Sequence, residues 1–195
     1  MGARTLARRG VAGLLVATVL WACGGDDGDG GTAASATDDI AQIAGVQAVA
    51  VSSARHVEGE VDYTTDPPAG GDHNGAWQNC GFYRVPVVNE HAVHSLEHGV
   101  VWITYRPGAD PAVVDEIAGL ASQHDYVLAS PYPDNPAPVV LTAWARRLEL
   151  DSLDDPRVDE FLGLYLEDGP TTPEPGAACS GAVGVPPDQP TTLVR

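Results

Sequence analysis

The chain has 195 residues, 27 acidic against 10 basic, and a formal net charge of −17. Every basic residue is an arginine, and Arg4, Arg8 and Arg9 crowd the first nine positions. So acidic a chain excludes a nucleic-acid role, which needs basic surface against phosphate, yet it is long enough for one domain with a real core.

The three N-terminal arginines precede a short apolar stretch, 11–20. It is too short to span a bilayer, so residues 1–22 read as a signal peptide. The stretch ends in Leu20-Trp21-Ala22-Cys23, which resembles a bacterial lipoprotein signal. Cys23 would then be the lipidated first residue, anchoring the chain on the outer face of the cytoplasmic membrane. Residues 23–38 are mostly Gly, Asp and small residues, a flexible acidic tether that cannot bury apolar surface. The folded domain is expected over 39–187, with a tail over 188–195. With Cys23 assigned to the anchor, Cys80 and Cys179 remain as an even pair in an oxidising compartment, predicting one disulfide.

Within the domain, 39–52 is a weak helix or a loop. Residues 57–63 alternate apolar and polar, the pattern of a short strand. Asp66-Pro-Pro-Ala-Gly-Gly-Asp-His73 is turn chemistry that delivers His73 from an unusual backbone. A strand broken by Pro86 is expected over 82–88. A short helix over 90–98 follows, with Asn89 as N-cap and Gly99 past its end. Residues 100–105 form a continuous apolar run, the profile of a buried strand. Asp110-Pro111 opens a helix to about His124 with Val113, Ile117 and Leu120 inward. Strands follow over 126–130 and from 139 towards Leu150. Asp155-Pro156 then opens a helix with Val158, Phe161, Leu162 and Tyr165 buried. The expected fold is a single α+β domain: a mixed sheet, two packed helices and one short histidine-bearing helix.

The chemistry concentrates in Asn89-Glu-His-Ala-Val-His-Ser-Leu-Glu-His-Gly99. His94 and His98 stand four apart, on one side of a helix, and the string His94-Ser-Leu-Glu97-His98 has the inverted zincin order. Converging neutral imidazoles are what zinc or copper requires. His73 is the expected third ligand and His56 the next, while His91 lies one turn from His94. Glu97 would ligate, accept from a histidine, or serve as general base on a metal-bound water. His124 complements a helix end. Trp77, Trp102 and Trp144 read as core rather than a ligand cage.

Several blocks together resemble the domain-of-unknown-function 3105 family. They are His56-Val57, Val61-Asp-Tyr63, the loop ending in His73, Trp77, Gly81-Phe-Tyr83, and His94-Ser-Leu-Glu-His-Gly99 with the apolar run after it. The tail 172–179 is similar to that of actinobacterial, lipoprotein-like members, and the resemblance covers about 43–187. Asp72 stands where many members carry Pro. The resemblance implies an exported or membrane-attached domain with no established activity, and a ligand list of His56, His73, His94 and His98. The leading expectation is a lipid-anchored domain binding zinc or copper. A metal-dependent hydrolase using Glu97 and a metal-free envelope interaction module are the alternatives.

Overall fold

The apolar run becomes the middle of the sheet. In a computed structural model, which describes residues 43–184, β3 (Val101–Tyr105) is buried at every position. It pairs in parallel with β4 (Val127–Pro131) and antiparallel with β5 (Val139–Ala143). A strand paired on both edges and covered on both faces has no wet side, which is why its sequence does not alternate. Parallel neighbours need a crossover, and α2 (Pro111–Gln123) supplies it. Asp110 caps that helix, accepting from the Ala112 amide at 2.9 Å, with Pro111 in the first turn. Ile117 is its one fully buried residue; Val113 and Leu120 pack at the margin of the core.

The second apolar run splits into two strands. After β5 the chain turns through Trp144 and Ala145 and returns as β6 (Arg146–Leu150), pairing Ala143 with Arg146. Ala145 takes the left-handed conformation with φ 60°. Tight hairpins usually mark that position with Gly or Asn, so the sequence read as one strand. The short β1 (Gln47–Ala48) and β2 (Gly81–Phe82) complete a mixed sheet in the order β1-β6-β5-β3-β4-β2.

Each sheet face has its own core. On one, α2 and α3 (Arg157–Tyr165) bring Ile117, Val158, Phe161, Leu162 and Tyr165 onto Val101, Ile103 and Leu141. On the other, α1 (Asn89–Glu97) brings Ala92, Val93 and Leu96 onto Trp102 and Leu128. Each large side chain so buried contributes about 1.5–3 kcal/mol. The architecture is the expected single α+β domain.

Other local expectations differ, and 39–52, read as a weak helix or a loop, holds β1. Residues 57–63 do alternate inward and outward, but the only pairing nearby is a single bridge between His56 and His73. Of the strand expected over 82–88 only Phe82 pairs with β4, and the Tyr83 amide adds a bond to the Ala129 carbonyl before the chain bends away at 84–85. Asn89 lies inside α1 rather than capping it; Val88 is the N-cap, without a side-chain bond, and the Asn89 side-chain Nδ2 donates to the Tyr132 hydroxyl.

Cys80 and Cys179 form the expected disulfide, with Cα atoms 5.4 Å apart across a sequence separation of 99. It fastens the last described segment beside residues 77–80, where the Cys80 amide also donates to the Cys179 carbonyl. Such a bond suits an oxidising, extracellular setting. Among the described residues no helix is long and apolar enough to cross a membrane. The expected signal peptide (1–22), Cys23, the tether (23–38) and the tail (188–195) lie outside the described residues.

Candidate metal centre

Helix α1 is polar in composition yet buried from Glu90 to the end, so its polar groups must find partners in protein. They find them in the loop 71–80 and in a chain segment near Val61. Glu90 accepts from the Val61 amide at 2.8 Å, and Ser95 donates to the Gln78 carbonyl at 2.7 Å. Four histidines follow one rule. His73 Nδ1 lies 2.8 Å from the Gly71 carbonyl, and His94 Nδ1 2.7 Å from that of Asn74. His91 Nδ1 meets the Ala76 carbonyl, and His98 Nδ1 that of Ala178 at 2.7 Å. A carbonyl only accepts, so each Nδ1 carries a proton, and in the neutral form such a ring has its lone pair on Nε2. This is the orientation that backbone acceptors impose on metal-binding histidines.

His73 and His56 reach the same place from distant sequence. Gly70 and Gly71 adopt φ of 140° and 130°, conformations that strain any other residue. A Cβ on Gly70 would also meet Val51 at 2.7 Å and the Trp144 ring at 3.4 Å. From this bend the His73 amide donates to the Arg55 carbonyl at 3.0 Å, and the Val57 amide to the His73 carbonyl at 2.8 Å. Asp72 reinforces the junction, accepting from the Ser53 hydroxyl, the Arg55 amide and the Arg55 guanidinium. The Arg55 guanidinium and the Ser53 hydroxyl hold that carboxyl well below the usual carboxylate range.

The result is a four-residue cluster. Ligand atoms of His56, His73, His94 and Glu97 all lie within 4.8 Å of one another. His94 and Glu97, three apart on α1, share a helix face. His73 is fully buried, His94 and Glu97 nearly so, while the His56 side chain is 57% exposed. Burial drives the His94 imidazole down to about 4, and the neighbouring histidines add to the effect against the opposing Asn74 carbonyl bond. It is therefore neutral at ordinary pH. Trp77 packs 5.7 Å from the His94 ring and Trp144 6.0 Å from that of His73, centroid to centroid. Two of the three tryptophans expected in the core thus also wall the cluster.

One contact is chemically incomplete. His73 Nε2 lies 3.0 Å from Glu97 Oε2, but it has no hydrogen-bond partner of acceptable geometry. A nitrogen lone pair and a carboxylate oxygen so close repel unless a proton or a metal ion lies between them. Three imidazole nitrogens and one carboxylate form a donor set that could hold a metal ion.

A family model described as "Protein of unknown function (DUF3105)" matches residues 56–181. The chain belongs to this family. No curated protein and no solved structure matches it. The DUF3105 match begins at His56 and runs past Cys179, so it includes the whole cluster and both cysteines.

His98, expected as a ligand, falls outside the four-residue set. Its ring is 4.7 Å from that of His94, and its Nε2 faces Glu174 Oε2 at 3.8 Å. Helix α1 ends at Glu97, and His98 is its C-cap, so the imidazole leaves on the side of the C-terminal segment. Glu97 takes the place beside His94 instead. His91 is spent on the Ala76 carbonyl, and His124 is the C-cap of α2. Glu174 reaches His98 on the C-terminal segment that the disulfide fastens.

Proposed function

We propose that this DUF3105 domain is exported, anchored in the membrane through Cys23, and binds a transition-metal ion, zinc or copper, through His56, His73, His94 and Glu97. The observation that carries this reading is the buried His73 Nε2, unbonded and facing Glu97 Oε2 at 3.0 Å. The backbone-anchored Nδ1 atoms of His73 and His94 add to it, since they hold lone pairs towards the cluster before any ion arrives. The lone Met1 belongs to the expected signal peptide, so a thioether copper(I) site is not part of the proposal. The disulfide supports export.

Metal-dependent hydrolysis is the second reading. Exposure of His56 favours it, because solvent reaches the cluster from that side. A catalytic ion needs an open position, and Glu97 would have to leave the ligand set to act as base.

Elemental analysis of the untagged protein, purified from the cell envelope without chelator, tests both. One zinc or copper per chain is expected, lost in the His73→Ala, His94→Ala double variant. Glu97→Gln should weaken metal binding if Glu97 is a ligand. If it leaves the metal in place and abolishes a hydrolytic activity of the wild type, the second reading replaces the first. A wild type that carries no metal and takes none up on titration sinks both.

A further inference from the structure

The two residues that the cluster leaves aside have the chemistry of a second metal position. His98 is buried, its side chain 4% exposed, and its Nδ1 is committed to the Ala178 carbonyl. In the neutral ring its Nε2 carries the lone pair, and it faces Glu174 Oε2 at 3.8 Å. As at His73 and Glu97, an imidazole Nε2 faces a carboxylate oxygen, here across a wider gap and with an exposed carboxylate. Glu174 does not drift there by chance. Its backbone amide donates to the Glu97 carbonyl at 2.9 Å, so the carboxylate is mounted on the end of α1 itself. Ala177 and Cys179 hold the same segment through Tyr126 and the disulfide. Trp77 covers His98 with ring centroids 5.1 Å apart.

We infer that His98 and Glu174 form a second, weaker site for a divalent transition-metal ion beside the first. One imidazole and one half-exposed carboxylate leave the remaining coordination to water, so this ion exchanges more readily than the one held by four protein ligands. The inference rests on the metal-binding reading of the first cluster, because the His94 and His98 rings are 4.7 Å apart and share Trp77 as a neighbour. That closeness puts the second position directly beside the buried one, on the side of the exposed Glu174.

The signal-free protein with its disulfide intact is stripped of metal and titrated with Cu(II) and, separately, Zn(II). Bound metal is counted after buffer exchange, tryptophan fluorescence is followed, and the Cu(II) samples are examined by electron paramagnetic resonance. The wild type should take up two equivalents, the second at least tenfold weaker, with dipolar broadening of the Cu(II) signal as it binds. His98→Asn and Glu174→Gln should each keep the first equivalent and lose the second together with the broadening. Glu174 is exposed, so the second variant guards against misfolding in the first. A second equivalent that survives in both variants is adventitious binding to the acidic surface and overturns the inference. So does a wild type that stops at one equivalent, or a His98→Asn variant that loses the tight one. A wild type that binds neither metal overturns the proposed function itself, which the single-equivalent outcome does not.

Discussion

His94 is where burial and ligation meet. In the unfolded chain its imidazole titrates near 6.5, whereas burial and three neighbouring rings bring it to about 4 in the fold. Between those values the unfolded state binds the proton and the native state refuses it. Stability of the metal-free protein therefore rises with pH across that window and falls on acidification from about 6.5 to about 4. From this one group the loss is on the order of 3 kcal/mol. Urea unfolding at a series of pH values should show the decline in wild type and a flatter profile in His94→Asn. An identical slope in both would remove His94 as the cause. The same refusal of protons keeps the lone pair on Nε2 available where an exposed histidine would already be charged.

At the scale of elements, Gly99 decides how α1 hands over to β3. It sits at φ 94°, and a Cβ there would run into the backbone carbonyl of Glu167. The Gly99 carbonyl accepts from the Glu167 amide at 2.7 Å, so the contact joins the end of α1 to the turn after α3. Gly99→Ala should cost about 1–3 kcal/mol from the backbone conformation alone, with the collision in addition. The lowered denaturant midpoint should come with weakened metal binding, because α1 carries His94 and Glu97. A variant of unchanged midpoint would show that the turn after α3 yields freely. Sequence anticipated this glycine because helix ends are local. For the same reason Asp110-Pro111 located α2, and the apolar stripe of Val158, Phe161, Leu162 and Tyr165 located α3. What sequence missed depends on partners far along the chain. Residues 57–63 carry a strand's alternation without a strand's ladder, since alternation records burial and not pairing. For the same reason sequence left open whether His98 or Glu97 stands in the set with His94. Both fit the helical spacing, and only the packing of 172–179 against α1 separates them.

At the scale of the whole molecule, the C-terminal segment is held in two different ways. Hydrogen bonds fasten it locally: Ala182 donates to Asn79 Oδ1, Val183 to the Trp77 carbonyl, and the Tyr83 hydroxyl to the Gly184 carbonyl. Each is worth about 1 kcal/mol net. The disulfide acts on the unfolded chain instead, closing a loop across a separation of 99 residues, a constraint worth roughly 4–5 kcal/mol by chain entropy. The two holds separate in a Cys80→Ser, Cys179→Ser variant. Global stability in denaturant should fall by several kcal/mol, since unfolding regains that entropy. The folded state should keep its sheet and its first metal equivalent, because no ligand of the four-residue cluster lies in the segment. Amide hydrogen exchange at Ala182 and Val183 should quicken more than at Val101 or Leu141, as the strap opens without the sheet. Equal acceleration everywhere would mean that segment and core open as one unit. Because Glu174 and the carbonyl that orients His98 both ride on this strap, faster opening should first weaken the outer metal position and leave the inner one loaded.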